Sequence, residues 1–351
     1  MESEADYSSR RGSTASSCVG DIYKEVDTYI RGSRNAELRD VPLVDFHGLL
    51  SAEAEKLEAR ELEARGLKAM PGVTTGGAGL AHGRVVYKLA EGVYYIPEGS
   101  TVEFAKQQWR QALLNYPLVC EHNTNKGDIS ASFNPATEFT RAPRLRWCSL
   151  GVGYDWTARS YESEPPAALP PSLAQFAQTV ANEIKAKTAC VCLKPNDQDV
   201  LVDQDVLVDQ DVLADQDVTS MSNCCCSWGR FSPDCALVNY YMGGDRLRGH
   251  RDDVEKAKGM PLVTLSLGTA ALFLFGGPNR DCKPTAIVLR ARDILVMGNK
   301  ARCNYHGVPR LLNYQLGNHT PSDRDMLLAD ENPVDPANPL RINISIRQCW
   351  C

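Results

Sequence analysis

The sequence predicts an α+β protein that is mainly β, a β-sandwich or jelly roll preceded by helices. Two observations carry this. The C-terminal third holds six short segments rich in Val, Leu, Ile and Phe: CALVNYY (235–241), LVTLSLG (262–268), AALFLFGG (270–277), TAIVLR (285–290), DILVMG (293–298) and LRINISIR (340–347). Gly, Pro and Asn turns separate them and no helices alternate with them, which disfavours a doubly wound α/β sheet.

Ahead of the strands lie the helices. STVEFAKQQWRQALLNYP (100–117) places Val102, Phe104, Ala105, Trp109, Ala112 and Leu113 at helical spacing, and PSLAQFAQTVANEIKA (171–186) is a second amphipathic helix. SAEAEKLEARELEARGLKAM (51–70) is dense in helix formers and ends before Pro71-Gly72. GGAGLAHG (76–83) reads as a flexible connector, GVYYIPEG (92–99) as a strand closed by a turn, and LRWCSLGVGYDW (145–156) as an aromatic strand. The expected divisions are a loose tail and helical extension over 1–84, helices and a further segment over 85–196, an insertion over 197–227 and the strand-rich core over 228–351.

The insertion repeats a six-residue unit, DQDVLVDQDVLVDQDVLADQDV (197–218), and reads as exposed low-complexity sequence. Its eight aspartates outweigh the net charge of −6, so an acidic chain does not exclude a basic surface elsewhere. The N-terminal MESEADYSSRRGSTASS carries Glu2, Glu4 and Asp6 before any apolar run, which argues against a secretory signal. No apolar run is long enough to span a membrane. The thirteen cysteines, with no paired CxxC motifs, are expected as free thiols. A monomer in the cytoplasm or nucleus is expected, with the mitochondrion left open.

NYYMGGDRLRGHRDDVE (239–255) holds one of only six histidines. On an extended segment His250 and Asp252 project to the same side, where one imidazole and one carboxylate can face one metal ion. His306, 56 residues on in NYHGVPRL and just after the DILVMG strand, is the candidate third ligand. Two histidines and one carboxylate leave three coordination positions open, the facial triad of non-haem Fe(II) oxygenases. The last strand alternates strictly: Leu340, Ile342, Ile344 and Ile346 share one face, and Arg341, Asn343, Ser345 and Arg347 the other. That polar face is either an ordinary solvent side or a grip for a small dicarboxylate. Asp253 and Glu255 fall outside the ligand pattern, and Asp253 reads as solvated.

Taken in order, Asn239 and Tyr241 (N-x-Y), His250 and Asp252 (H-x-D), the downstream His306, and Arg341, Asn343 and Arg347 (R-x-N-x-x-x-R) resemble the AlkB family of Fe(II)- and 2-oxoglutarate-dependent dioxygenases. LRWCSLGVGYDW, NYYMGGDRLRGHRDD, NRDCKPTAI and VPRLL are similar to its eukaryotic homologue-1 branch, over roughly residues 90 to 349 without the aspartate insertion. The resemblance implies a double-stranded β-helix (jelly roll) core with N-terminal helices and a nucleotide-recognition lid. It implies Fe(II) on His250, Asp252 and His306, and 2-oxoglutarate as cosubstrate. Arg341, Asn239 and Tyr241 would hold the distal carboxylate, with Arg347 and Asn343 near the keto-acid end.

The implied partners are dioxygen and a nucleic acid, RNA or DNA, carrying an N-methylated base. Hydroxylation of the methyl group would release formaldehyde, with succinate and CO2 from the cosubstrate. Trp147 takes the place of the family's base-stacking aromatic, though a core tryptophan on a strand fits the sequence equally. Tyr154 takes that of a backbone-contacting tyrosine. Arg141, Arg144, Arg146 and Arg159 surround them as candidate phosphate contacts. Val254 stands where bacterial members carry an acidic residue near the base, so their base preference does not transfer. The competing readings are a hydroxylase of protein side chains and a nucleic-acid-binding scaffold without turnover.

Overall fold

The computed structural model describes residues 67–119, most of 124–155, 160–161, 168–188, 228–280, 282–312 and 340–350, together with the strand Leu43–Val44. In chain order the strands are β1 (Leu43–Val44), β2 (Lys68–Met70), β3 (Val86–Ala90), β4 (Val93–Ile96), β5 (Trp147–Gly151), β6 (Tyr154–Asp155) and β7 (Ser160–Tyr161). They continue as β8 (Cys235–Tyr241), β9 (Leu247–His250), β10 (Leu262–Gly268), β11 (Ala271–Phe275), β12 (Thr285–Leu289), β13 (Ile294–Met297), β14 (His306–Leu311) and β15 (Arg341–Arg347). The principal helices are α1 (Val102–Leu114) and α2 (Pro171–Thr188).

Eight strands form one sheet in the order β2-β3-β4-β13-β10-β15-β8-β5, and five form a second, β1-β12-β11-β14-β9. All pairings in the larger sheet are antiparallel. The mainly-β, antiparallel architecture expected from the C-terminal strands is thus present.

Alternation along the central strands builds two apolar layers on opposite faces of the large sheet. Val263, Leu265 and Leu267 of β10, Ile342, Ile344 and Ile346 of β15, and Ala236 and Val238 of β8 turn to one face. There they join Phe104, Trp109 and Leu113 of α1 and Leu173, Phe176 and Val180 of α2 in one core. On the other face, Tyr95, Leu295 and Met297 meet Phe273, Phe275, Ile287 and Leu289 of the smaller sheet. The polar side of β15 therefore faces a second sheet and not water: Arg341 is 1% exposed and Arg347 5%.

Thr101 caps α1, its side chain accepting from the Phe104 amide. Gly268 ends β10 at φ +74°, and a Cβ there would stand 2.4 Å from the Leu340 carbonyl oxygen and 2.7 Å from the Trp109 ring. Glycine is required where α1 presses on the β10–β15 edge.

Three segment readings are corrected. Lys68–Met70, expected to end a helix, pairs as β2 with β3, while residues 51–66 lie outside the described residues. Local helix propensity gives way here to a free sheet edge. The 76–83 segment is folded, with Leu80 1% exposed and bonded to Gly77. His306 does not trail the β13 strand but opens β14, beyond a 3-10 turn over Asn299–Cys303. The N-terminal tail and the aspartate repeat lie outside the described residues. Among the described residues, no helix is long and apolar enough to cross a membrane.

Glu183 of α2 pins the helix to the chain after β2. It accepts from the Thr74 amide (2.7 Å), the Thr75 amide (3.1 Å) and both threonine hydroxyls, and pairs with Lys187 at 2.8 Å. Burial opposes its charge, yet these donors bring its pKa from 4.5 down to about 2. A depressed carboxyl stabilises the fold above its unfolded value and loses that contribution as pH falls toward the folded one. The loss is on the order of 3 kcal/mol. Urea denaturation of Glu183→Gln should show lower stability at pH 7 and a flatter decline between pH 4.5 and 2; an unchanged profile would refute the linkage.

Candidate metal centre and cosubstrate cavity

The inward face of the large sheet is laid out in cross-strand rows. Trp147, Asn239, Asn343 and Ser266 form one row, and Tyr241, Arg341 and Gly268 the next toward one end. Gly151, Cys235 and Arg347 form a row toward the other. From the facing sheet, β9 and β14 pair His250 directly with His306, their ring centroids 4.3 Å apart. Asp252 follows His250 by two residues and turns into the same space. The ligand atoms of His250, Asp252 and His306 lie within 4.8 Å of one another.

The geometry of these three suits a metal ion better than it suits mutual hydrogen bonding. His250 Nδ1 lies 2.9 Å from the Arg248 carbonyl and His306 Nδ1 3.1 Å from the Asn304 carbonyl. A carbonyl only accepts, so each Nδ1 carries a proton, which in a neutral imidazole leaves the Nε2 lone pair for a metal. Those Nε2 atoms stand 3.9 and 3.6 Å from the Asp252 oxygens, beyond ordinary hydrogen-bond length. Burial, with His306 alongside, pushes the His250 imidazole down to about 4, leaving it neutral at physiological pH. Burial acts against the charge of Asp252, but the Arg347 guanidinium, ahead of the histidines, holds its carboxyl well below the usual range.

Behind the triad is a buried ionic layer that the sequence did not reveal. Glu255, set aside in the sequence as outside the ligand pattern, is 1% exposed. Its Oε1 lies 2.6 Å from Arg347 Nη1 and its Oε2 3.1 Å from Arg302 Nη2. Arg347 Nη1 is also 3.7 Å, and Arg302 Nη1 4.0 Å, from Asp252. Two carboxylates and two guanidiniums thus offset one another away from water, as buried charges must. Arg302 arrives on the 3-10 turn before His306, with only 1% of its side chain exposed. No periodicity marks it or Glu255, because their burial depends on how the two sheets meet.

Arg341 and Tyr241 pair across β15 and β8 at the opposite end. Arg341 donates to Ser266 Oγ at 2.9 Å and to the Thr269 carbonyl at 3.4 Å, but no carboxylate pairs with it among the described residues. Burial pulls its pKa only to about 10, so it stays charged at neutral pH. Arg341 Nε, Tyr241 Oη, Asn343 Oδ1 and Arg347 Nε are buried without hydrogen-bond partners. Burial raises the Tyr241 phenol to about 12, which keeps it a neutral donor. A buried cation with orphaned donors around it calls for an anion, and the residues present fit a small dicarboxylate.

A cavity of about 370 Å³ opens between the sheets, bringing together His250, Asp252, His306, Asn239, Asn343 and Arg347. Part of its wall is apolar, with Leu237, Leu295, Met297 and Phe273. Tyr154 lines it, and so do Tyr161, which sequence reasoning missed, and Val254. Arg341, Tyr241 and Trp147 do not. Trp147 is half-buried and shares the cavity-facing side with Asn239 through its register on β5. Arg144 pairs with Asp245 at 2.7 Å, Arg146 is half-exposed, and Arg159 lies outside the described residues.

Removing one member of a buried ion cluster strands its partners. Arg302→Leu should therefore lower stability by roughly 3–5 kcal/mol in urea denaturation of metal-free protein. A loss under 1 kcal/mol would show that Glu255 and Asp252 do not depend on it.

A model of the 2OG-Fe(II) oxygenase superfamily matches residues 92–347. Among similar proteins, the Arabidopsis thaliana DNA N(6)-methyladenine demethylase ALKBH1A is 31% identical over 59% of this chain and 49% of its own length. The Schizosaccharomyces pombe tRNA demethylase abh1 is 27% identical over 58% of this chain and 53% of its own. The Homo sapiens nucleic acid dioxygenase ALKBH1 is 24% identical over 69% of this chain and 60% of its own. The chain spans about half the length of the plant and yeast relatives. The matched region contains both sheets' central strands and all three residues of the triad, and the chain belongs to the 2OG-Fe(II) oxygenase superfamily, on the AlkB homologue-1 side that its motifs resemble.

Proposed function

We propose that this protein is an oxidative demethylase of N-methylated bases in nucleic acid, dependent on Fe(II) and 2-oxoglutarate. The observation that carries this reading is the joining of His250, Asp252 and His306 with Asn239, Asn343 and Arg347 on one cavity that also has a tyrosine wall. The names of the three relatives, a DNA demethylase, a tRNA demethylase and a nucleic acid dioxygenase, support the substrate class.

In this reading His250 Nε2, His306 Nε2 and an oxygen of Asp252 hold the metal. When bound there, Fe(II) with 2-oxoglutarate and dioxygen would supply the chemistry that hydroxylates an N-methyl group, giving succinate and CO2 from the cosubstrate and formaldehyde from the hydroxylated methyl. The chain's own contribution is placement and charge. Arg347 keeps Asp252 ionised, while Arg341 and Tyr241 offer the unpaired donors for the distal carboxylate, with Asn239 beside them in the next row. Arg347 stands 3.7 Å from Asp252, and Asn343 shares the row of Asn239 between the two arginines. The apolar wall of Leu237, Leu295 and Met297 keeps water from the cosubstrate chain.

The finer architecture belongs to the same proposal: a double-stranded β-helix whose β5–β7 region is the nucleotide-recognition lid. A base must leave its stack to reach this cavity, at lower cost from a single strand or a loop than from a duplex. Tyr154 on the cavity wall and Trp147 on the adjoining row supply aromatic faces for it, and Arg141 and Arg146 supply charge for phosphates. Val254 gives the wall beside Asp252 an apolar group in place of a carboxylate.

Mass spectrometry of nucleosides from RNA and DNA incubated with protein, Fe(II) and 2-oxoglutarate should show loss of an N-methylated base, with equimolar formaldehyde and succinate. His250→Ala and Asp252→Ala should reduce both products to background with the circular dichroism spectrum unchanged; undiminished turnover would sink the metal assignment. Arg341→Met should raise the KM for 2-oxoglutarate on the order of 30-fold or more, since it removes the charge that pairs with a buried carboxylate. An unchanged KM would place that carboxylate elsewhere.

A further inference from the structure

We propose that Glu255 is a positioning residue that joins the two halves of the site. One carboxylate holds Arg347 beside Asp252 and at the same time anchors Tyr161, and with it the β6–β7 hairpin, on the cavity wall. This rests on the proposed function for its substrate arm only.

Glu255 Oε1 accepts two hydrogen bonds from groups far apart in the chain, Arg347 Nη1 at 2.6 Å and the Tyr161 hydroxyl at 2.8 Å. Its Oε2 faces Arg302 Nη2 at 3.1 Å, so the carboxylate cannot swing away without stranding a buried cation. Three elements, β15, β7 and the 3-10 turn, thus converge on one side chain. Tyr161, Tyr154, Glu255 and Arg347 all line the cavity.

The hairpin needs such an anchor. β6 and β7 have two residues each and, among the described residues, pair with each other and with neither large sheet. A two-stranded hairpin of this kind is marginal alone, so its position depends on side-chain contacts. Tyr161 provides them. Its ring packs on Val152, Cys235 and Cys349 and lies 4.9 Å from the Tyr154 ring at 60°. Its hydroxyl bond to Glu255 is the polar tie to the ionic layer behind the metal triad. Burial raises the Tyr161 phenol above its usual range, so it remains a donor.

The orientation of Arg347 is therefore set by the same group that seats the hairpin. A base contacting Tyr154 and a cosubstrate contacting Arg347 are registered to each other through Glu255. A loosened tie should let cosubstrate oxidation proceed without a correctly seated base.

The test uses Tyr161→Phe, which keeps the ring and removes only the hydroxyl, and Glu255→Gln, each in the full-length protein loaded with Fe(II) and 2-oxoglutarate without oxygen. Amide exchange at Ser160–Tyr161 should rise about tenfold or more in both variants, with β10 and β15 protected as in the wild type. With oxygen and methylated oligonucleotide, succinate formed per formaldehyde should climb severalfold above the wild-type ratio. Should Glu255→Gln unfold, Tyr161→Phe alone decides. Wild-type exchange at the hairpin in Tyr161→Phe, or a wild-type product ratio in the folded variants, overturns the assignment. The exchange arm needs no substrate, so wild-type protein that fails to demethylate would count against the proposed function and leave that arm to decide the role of Glu255.

Discussion

Four charged side chains enclosed between two sheets set the terms for the rest of this structure. Asp252 and Glu255 meet Arg347 and Arg302 at distances from 2.6 to 4.0 Å, and three of the four are at most 5% exposed. Charges in such a place are tolerated only when they are matched. The match keeps Asp252 ionised beside the Nε2 atoms of both histidines. A metal site between sheets follows from that electrostatic balance as much as from the three ligating residues.

The same balance explains why the two arginines of β15 differ. Arg347 has its counter-charges in the protein, and they hold its pKa well above the ordinary value despite burial. Arg341 has no carboxylate within ion-pair distance among the described residues and makes do with Ser266, a carbonyl and the more distant Asp293. One arginine is therefore part of the scaffold of the site, and the other is the cation that the proposed function assigns to an external anion. Five residues of one strand lie between these roles: Arg347 reaches Asp252 and Glu255, while Arg341 reaches Ser266 and Thr269.

Much of this was legible in the sequence where the signal is local. CALVNYY and LVTLSLG match β8 and β10 residue for residue, since short β-branched runs bounded by turns leave few alternatives. The period-two rule placed Arg341, Asn343 and Arg347 on one face, and the i,i+2 spacing placed His250 with Asp252. What was hidden depends on distant partners. β9 (LRGH) and β14 (HGVPRL) carry Gly, Arg and Pro and do not read as strands, yet they carry two of the three ligands because they fill the smaller sheet. The polar face of β15 could be read as solvent-exposed until the second sheet covered it. Glu255, Arg302 and Tyr161 have no motif of their own, and only the meeting of β15, β7 and the 3-10 turn makes them functional candidates.

The central claim, that the buried charge balance builds one metal site with a dicarboxylate beside it, is tested most directly by crystallography. Crystals grown without oxygen with Fe(II) and 2-oxoglutarate should show one strong anomalous peak within coordination distance of His250 Nε2, His306 Nε2 and an Asp252 oxygen. The cosubstrate should chelate that metal near Arg347, with its far carboxylate on Arg341 and Tyr241. A metal peak elsewhere, or a cosubstrate that leaves Arg341 unpaired, would contradict the account.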